Sequence, residues 1–203
     1  GDWSSDVCSS DLSDLGVFVG AASRNQAVSL RVPEAYALRR EVRPELLVGG
    51  VAIPERHART RDEHLRVLAK VDEGCTFFIT QCVYDVDAAK SFLSDYYYAC
   101  ASREVPMVPV IFTITPCGST KTLEMMRWLG ISVPRWLEND LLHARDILDD
   151  SMHACREIFA ELSDYAKKKG IPIGVNVESV AIRKDEIAAS VTLVGELVAL
   201  ARL

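Results

Sequence analysis

Short apolar runs alternate along this chain with longer stretches in which apolar residues recur every three or four positions. That alternation predicts repeated βα units. Strands are expected at 15–19, 46–53, 76–80, 107–113 and 171–177, each short and apolar as a parallel strand buried on both faces should be. Helices are expected at 33–42, 62–73, 86–101, 119–129, 137–169 with an interruption, and 183–200. The clearest stripe joins Leu148, Met152, Cys155, Phe159, Leu162 and Ala166. It runs into Lys167, Lys168 and Lys169, which suit the negative end of a helix dipole, and then meets Gly170 and Pro172 as stop signals. The lysine run therefore reads as a solvated helix end.

Five strands, each followed by a helix, with no G-x-G-x-x-G after any of them, predict an α/β fold of the (β/α)8 TIM-barrel type rather than a Rossmann sheet. A complete barrel typically takes ~250 residues. The expectation is thus an incomplete barrel, about its last five βα units, over 13–203. Residues 1–12 stand apart, because their string has no helical or strand period and repeats S-S-D. They resemble a translated sequencing-library adapter and are expected to be a non-native, disordered leader, with three βα units belonging upstream of Ser13.

Composition narrows the function. The 203 residues are 49% hydrophobic and 26% charged, as in one globular domain with a sizeable core. A net charge of -6 argues against a long basic stripe, and so against a nucleic-acid partner. No run approaches the ~20 apolar residues that span a bilayer, and no signal-peptide layout is present, so a cytoplasmic protein is expected. Six cysteines without a C-x-x-C pair predict buried reduced thiols, and four histidines without ligand spacing predict no metal.

In such a barrel the chemistry sits where the strands end. The exits are polar throughout: A-A-S-R-N-Q at 21–26, P-E-R-H at 54–57, Gln81, Thr113 and Thr115, and Asn176 with Glu178. Singly these are cap, turn or loop residues. Together they outline a polar mouth over an apolar core, the layout of a small-molecule site. For Glu178 the plain reading is an ion pair with Arg183 or Lys184.

Four pieces in order carry a resemblance: V-A-I-P-E-R-H at 51–57, A-K-V-D-E-G-C at 69–75, F-I-T-Q-C-V-Y-D at 78–85 and I-S-V-P-R-W at 131–136. Over roughly 17–200 the chain resembles methylenetetrahydrofolate reductases, which typically show P-E-x-H, K-V-D-A-G-A, I-T-Q-F-F-F-D and I-P-x-W. The resemblance implies a flavoenzyme in which NAD(P)H reduces FAD, and the flavin reduces 5,10-methylenetetrahydrofolate to 5-methyltetrahydrofolate for methionine synthesis. A homo-oligomer is implied for the complete protein. Carried over by position, His57, Glu63, Lys70 and Gly20 would contact FAD, with Lys70 a point charge for its diphosphate. Gln81 would bind the pterin of the folate, and Arg183 would hold folate, unless Lys184 takes that place.

The departures are equally specific. The family's general acid, a glutamate on the first barrel strand that protonates the folate nitrogen, has no counterpart here, so no catalytic residue is expected in this chain. The family's R-G-D exit reads V-G-A-A-S at 19–23, with only Gly20 matching, and the tyrosine expected before P-E-x-H is Ile53. The stretch after the fourth strand of this chain is rewritten as T-P-C-G-S-T-K. Two other readings keep the barrel mouth: a pterin- or corrinoid-linked methyl transferase, and a non-catalytic binding barrel.

Overall fold

A computed structural model of the chain describes residues 14–20 and 29–202. The adapter-like leader and the whole exit at 21–26 lie outside the described residues. The elements are β1 (Leu15–Phe18), α1 (Val32–Val42), β2 (Leu47–Ala52), α2 (Pro54–Thr60), α3 (Glu63–Asp72), β3 (Phe77–Cys82), α4 (Val86–Arg103), β4 (Val110–Ile114), α5 (Thr120–Trp128), α6 (Arg135–His143), α7 (Ile147–Lys169), β5 (Ile173–Val177) and α8 (Lys184–Arg202). Every pairing is parallel, and the strands lie side by side in chain order. Sequential order without a reversal is what repeated right-handed βα crossovers of a barrel produce, whereas a Rossmann sheet reverses at its switch point. Among the described residues the sheet does not close, and β1 and β5 are its edges.

Local chemistry explains the boundaries. Asp85 Oδ1 accepts from the Ala88 backbone N–H at 2.9 Å to start α4, and Ser119 Oγ accepts from Thr122 at 3.1 Å to start α5. The long helix expected over 137–169 is two helices. Ala144 between them is extended, and Asp146 caps α7 by accepting from Leu148 and Asp149. Gly170, at φ 66°, ends α7 in the left-handed conformation. One helix was not anticipated, since α2 begins on Pro54 itself, at the first helical position where a missing N–H costs nothing.

The two faces of the sheet differ. Val48, Ala52, Phe78, Val110, Phe112 and Ile114 are buried beneath the helices and pack with Phe92, Leu93, Phe159, Leu162 and Leu197. The opposite face is only partly covered. It carries Val17, Gly49 and Phe77 in register on β1 to β3, Val51, Ile79, Ile111 and Gly174 across the middle, and Thr113 opposite Asn176. A Cβ at Gly49 would fall 2.4 Å from the Phe77 ring, so a side chain there would displace that ring. The five described cysteines, Cys75, Cys82, Cys100, Cys117 and Cys155, are free and buried, as expected. Burial pushes the Cys82 and Cys117 thiols up to about 11 and Cys155 up to about 12, so they are packing groups rather than nucleophiles. No helix among the described residues is long and apolar enough to cross a membrane.

Candidate functional site

The strand exits meet in a concavity of about 640 Å³ whose floor is Val17, Val51 and Ile79 and whose rim includes Arg56, Arg59, Gln81 and Glu178. An apolar floor with a few polar groups suits a flat heterocycle. Gln81 reaches the rim because it alternates with Phe77 and Ile79 on the half-buried face of β3. Its side-chain amide donates to the Leu129 carbonyl at 3.3 Å. On β5, Asn176 donates to Thr113 Oγ1 at 3.2 Å and to Glu178 Oε1 at 2.9 Å. The ion pair expected for Glu178 is therefore replaced by an amide contact. Arg183 instead pairs with Asp185 at 2.8 Å and approaches Glu186 at 3.5 Å, which holds it at the start of α8.

A second pocket of about 420 Å³ opens beside the first strand and brings Gly20 and Lys70 together with Arg56 and Arg66. Lys70 Nζ donates to the Val51 carbonyl. Burial pulls its ammonium below the usual lysine range, while the nearby Glu63 carboxylate pulls it back up. Three cationic groups around one pocket make a site for an anion. Two of the three already hold carboxylates: Arg56 clamps Glu63 through Nε and Nη2 at 2.6 and 2.8 Å, and Arg66, more exposed, pairs with Asp62 at 2.9 Å.

Glu63 itself is fully buried, and Oε1 also accepts the Ile53 backbone N–H at 2.9 Å. Both oxygens thus tie α3 to the exit of β2. His57 likewise turns away from the mouth. It is 2% exposed, its Nε2 lies 3.0 Å from Asp95 Oδ2, and its ring packs edge-on against His64 and Phe92. Of the four residues expected around a flavin, two share the cationic pocket and two do not. His57, His64 and Asp95 gather potential ligand atoms within 4.8 Å of one another, near enough for a cation to bridge. The His57–Asp95 hydrogen bond already accounts for two of them, and Arg61 lines the adjoining concavity.

The P-E-R-H exit also carries Glu55, to which the sequence assigns no separate role. It sits in a pocket of about 220 Å³ with Gln81, Arg59, Gly130 and Ser132. Both its oxygens are buried without a hydrogen-bond partner. Burial pushes its carboxyl up to about 8; the Asp85 and Glu63 charges add to this, while its own backbone N–H and Arg59 oppose it. Above the ordinary glutamate value the unfolded chain has lost this proton, and the folded chain keeps it until about pH 8. Stability from Glu55 should therefore fall as pH rises through that window, by roughly 1.4 kcal/mol per unit. Urea melts at pH 5, 7 and 8.5 should show Glu55→Gln gaining on the wild type as pH rises. A wild-type-minus-variant difference independent of pH would refute this.

A family model described as methylenetetrahydrofolate reductase matches residues 33–176. Methylenetetrahydrofolate reductase 1 of Schizosaccharomyces pombe is 28% identical over 143 residues, which are 68% of this chain and 22% of that protein. A solved structure of an uncharacterized protein from Clostridium thermocellum, described as binding two copies of 5-methyl-5,6,7,8-tetrahydrofolic acid, is 58% identical. The match covers 89% of this chain and 62% of that one, with a TM-score of 0.82. The chain thus spans less than two thirds of either relative.

Proposed function

This chain belongs to the methylenetetrahydrofolate reductase family, and we propose that it forms the folate-binding part of an enzyme that reduces 5,10-methylenetetrahydrofolate to 5-methyltetrahydrofolate with NAD(P)H. The observation that carries this reading is the polar-rimmed mouth over an apolar floor, in a fold shared with a clostridial protein described as binding methyltetrahydrofolate. Gln81 offers a donor and an acceptor to the edge of a pterin. Glu178, fixed by Asn176, stands across the same mouth as a second polar group.

FAD is the proposed electron carrier, as the family resemblance implies. The cationic pocket fits the anionic end of such a cofactor, with Lys70 and Arg66 beside Gly20 as the holding residues. His57 and Glu63 do not line that pocket, so a role for them toward the cofactor would be indirect, Glu63 through its clamp on Arg56. When bound, the flavin would relay hydride from the nicotinamide to the folate. The residues of this chain would orient the folate and anchor the cofactor's charge.

A second reading draws on the two folates described for the clostridial relative. Here the cationic pocket takes the glutamate carboxylates of a second folate, and no flavin is needed to fill it. Purification of this chain separates the two. Retained flavin absorption that NAD(P)H bleaches supports the first, whereas a colourless protein binding two equivalents of 5-methyltetrahydrofolate supports the second. In either case Gln81→Ala is expected to weaken folate binding by roughly 10- to 100-fold, the cost of one lost buried polar contact. Flavin retention, where present, should be little changed. Equal loss of both ligands, or of neither, would count against the role given to Gln81.

A further inference from the structure

We propose that Glu55 completes the folate site by pairing its carboxylate with the adjacent N–H donors of a 2-amino-4-oxopyrimidine ring, while Gln81 holds a neighbouring edge of the same heterocycle. The proposal rests on the folate reading above. Its starting point is a pair of carboxyl oxygens sealed from water with nothing to bond to. Leaving such a group unsatisfied costs free energy, so a fold that keeps one calls for an explanation.

The surrounding acids are all engaged. Asp85 caps α4, Glu63 is held by Arg56 and the Ile53 N–H, and Glu178 accepts from Asn176. Glu55 holds nothing together, yet it shares a small pocket with Gln81 at the mouth. A carboxylate with two parallel lone pairs matches two parallel N–H donors, the 2-amino group and the ring N–H of a pterin. The amide of Gln81 adds one donor and one acceptor, so the two side chains together can read a lactam ring that presents both.

The charges facing Glu55 set the proton balance. They are Asp85 at the start of α4, Arg59 on α2 itself, Glu63 on α3 and the neutral Cys82 thiol on β3. With its oxygens buried and two acids against one arginine, the empty site keeps Glu55 protonated at neutral pH. Binding then moves that proton to solvent as the two N–H···O bonds form. Folate affinity should accordingly rise with pH until Glu55 ionises unaided.

The test is calorimetric titration of this chain with 5-methyltetrahydrofolate from pH 6 to 9, for the wild type and Glu55→Gln. The wild-type Kd is expected to tighten about tenfold per pH unit up to about 8, with close to one proton released per folate bound at pH 7. Glu55→Gln should bind about tenfold or more weakly at pH 8.5, with its pH dependence flattened. A folate analogue lacking the 2-amino group, which keeps only one of the two donors, should show a smaller difference between the two proteins; an undiminished difference overturns the pairing. A variant that matches the wild type in affinity and pH slope overturns the role of Glu55 alone. A folded wild type that binds no folate overturns the folate reading and this inference with it. Should the glutamine variant fail to fold, Glu55→Asp, which retracts the charge without removing it, should weaken binding yet keep the pH slope; unchanged affinity there also overturns the proposal.

Discussion

Glu63→Gln should destabilise the chain by about 3–5 kcal/mol, because it breaks a buried ion pair from one side. The carboxylate is fully buried, receives two guanidinium bonds from Arg56, and accepts the backbone N–H of Ile53. Glutamine can keep one acceptor but turns an N–H donor toward Arg56, where an acceptor is required. Arg56→Met should cost a similar amount, since it strands the carboxylate. The double variant Arg56→Met with Glu63→Gln should recover most of the loss, because no charge is then left unpaired and the glutamine oxygen still accepts the Ile53 N–H. Urea midpoints for the two single variants and the double one test this. If Glu63→Gln melts like the wild type but loses a bound flavin, the carboxylate serves the cofactor and not the fold.

The same residue shows where the sequence stopped informing. Its position seven residues before Lys70 was legible, and both lie on α3 as the spacing requires. Its direction was not, because Glu63 at the first turn of α3 can face either the mouth or the β2 exit. The choice is made by Arg56, which comes from a helix too short to announce itself by periodicity. With seven residues, α2 completes less than two turns. Pro54 reads equally as a strand exit and as a helix start, and only the structure separates the two. His57 turns on that helix too. An extended exit loop would have let it face the mouth, whereas the helix carries it under α4 to Asp95.

The strands, by contrast, were readable to within three residues at either end. Buried parallel strands are short apolar runs bounded by polar residues, and all five expected runs contain or overlap the observed ones. The break between α6 and α7 was expected without a location, although Asp146 is a recognisable cap. Glu55 belongs to a different class of omission. A glutamate after a proline is ordinary in sequence, and its significance lies in the absence of a partner, which only packing reveals. Lys70 and Gly20, fifty residues apart, meet at one pocket because Lys70 reaches from α3 to Val51 on β2, and β1 pairs with β2.

Phe92→Ala is expected to rival the Glu63 variant, at about 3–5 kcal/mol, by the cavity it leaves. The ring is fully buried on α4, lies parallel to Tyr96 at 6.0 Å between centroids, and meets the His57 ring at 6.1 Å. It therefore fills the space where α2 rests on α4. Native stability of a domain this size is of order 5–15 kcal/mol, so the loss is a large share of the total. Trp128→Ala provides the contrast, since that side chain is 80% exposed and should change stability by no more than about 0.5 kcal/mol. A functional consequence follows from the same packing. α2 carries Glu55, Arg56 and Arg59 to the mouth, and His57 anchors it through Phe92 and Asp95. Phe92→Leu, which removes less volume, should leave the chain folded while loosening that anchor. Folate affinity should then fall although residue 92 is not among those lining the mouth pockets. Unchanged affinity in a folded Phe92→Leu protein would mean that α2 is positioned by the Arg56–Glu63 clamp alone.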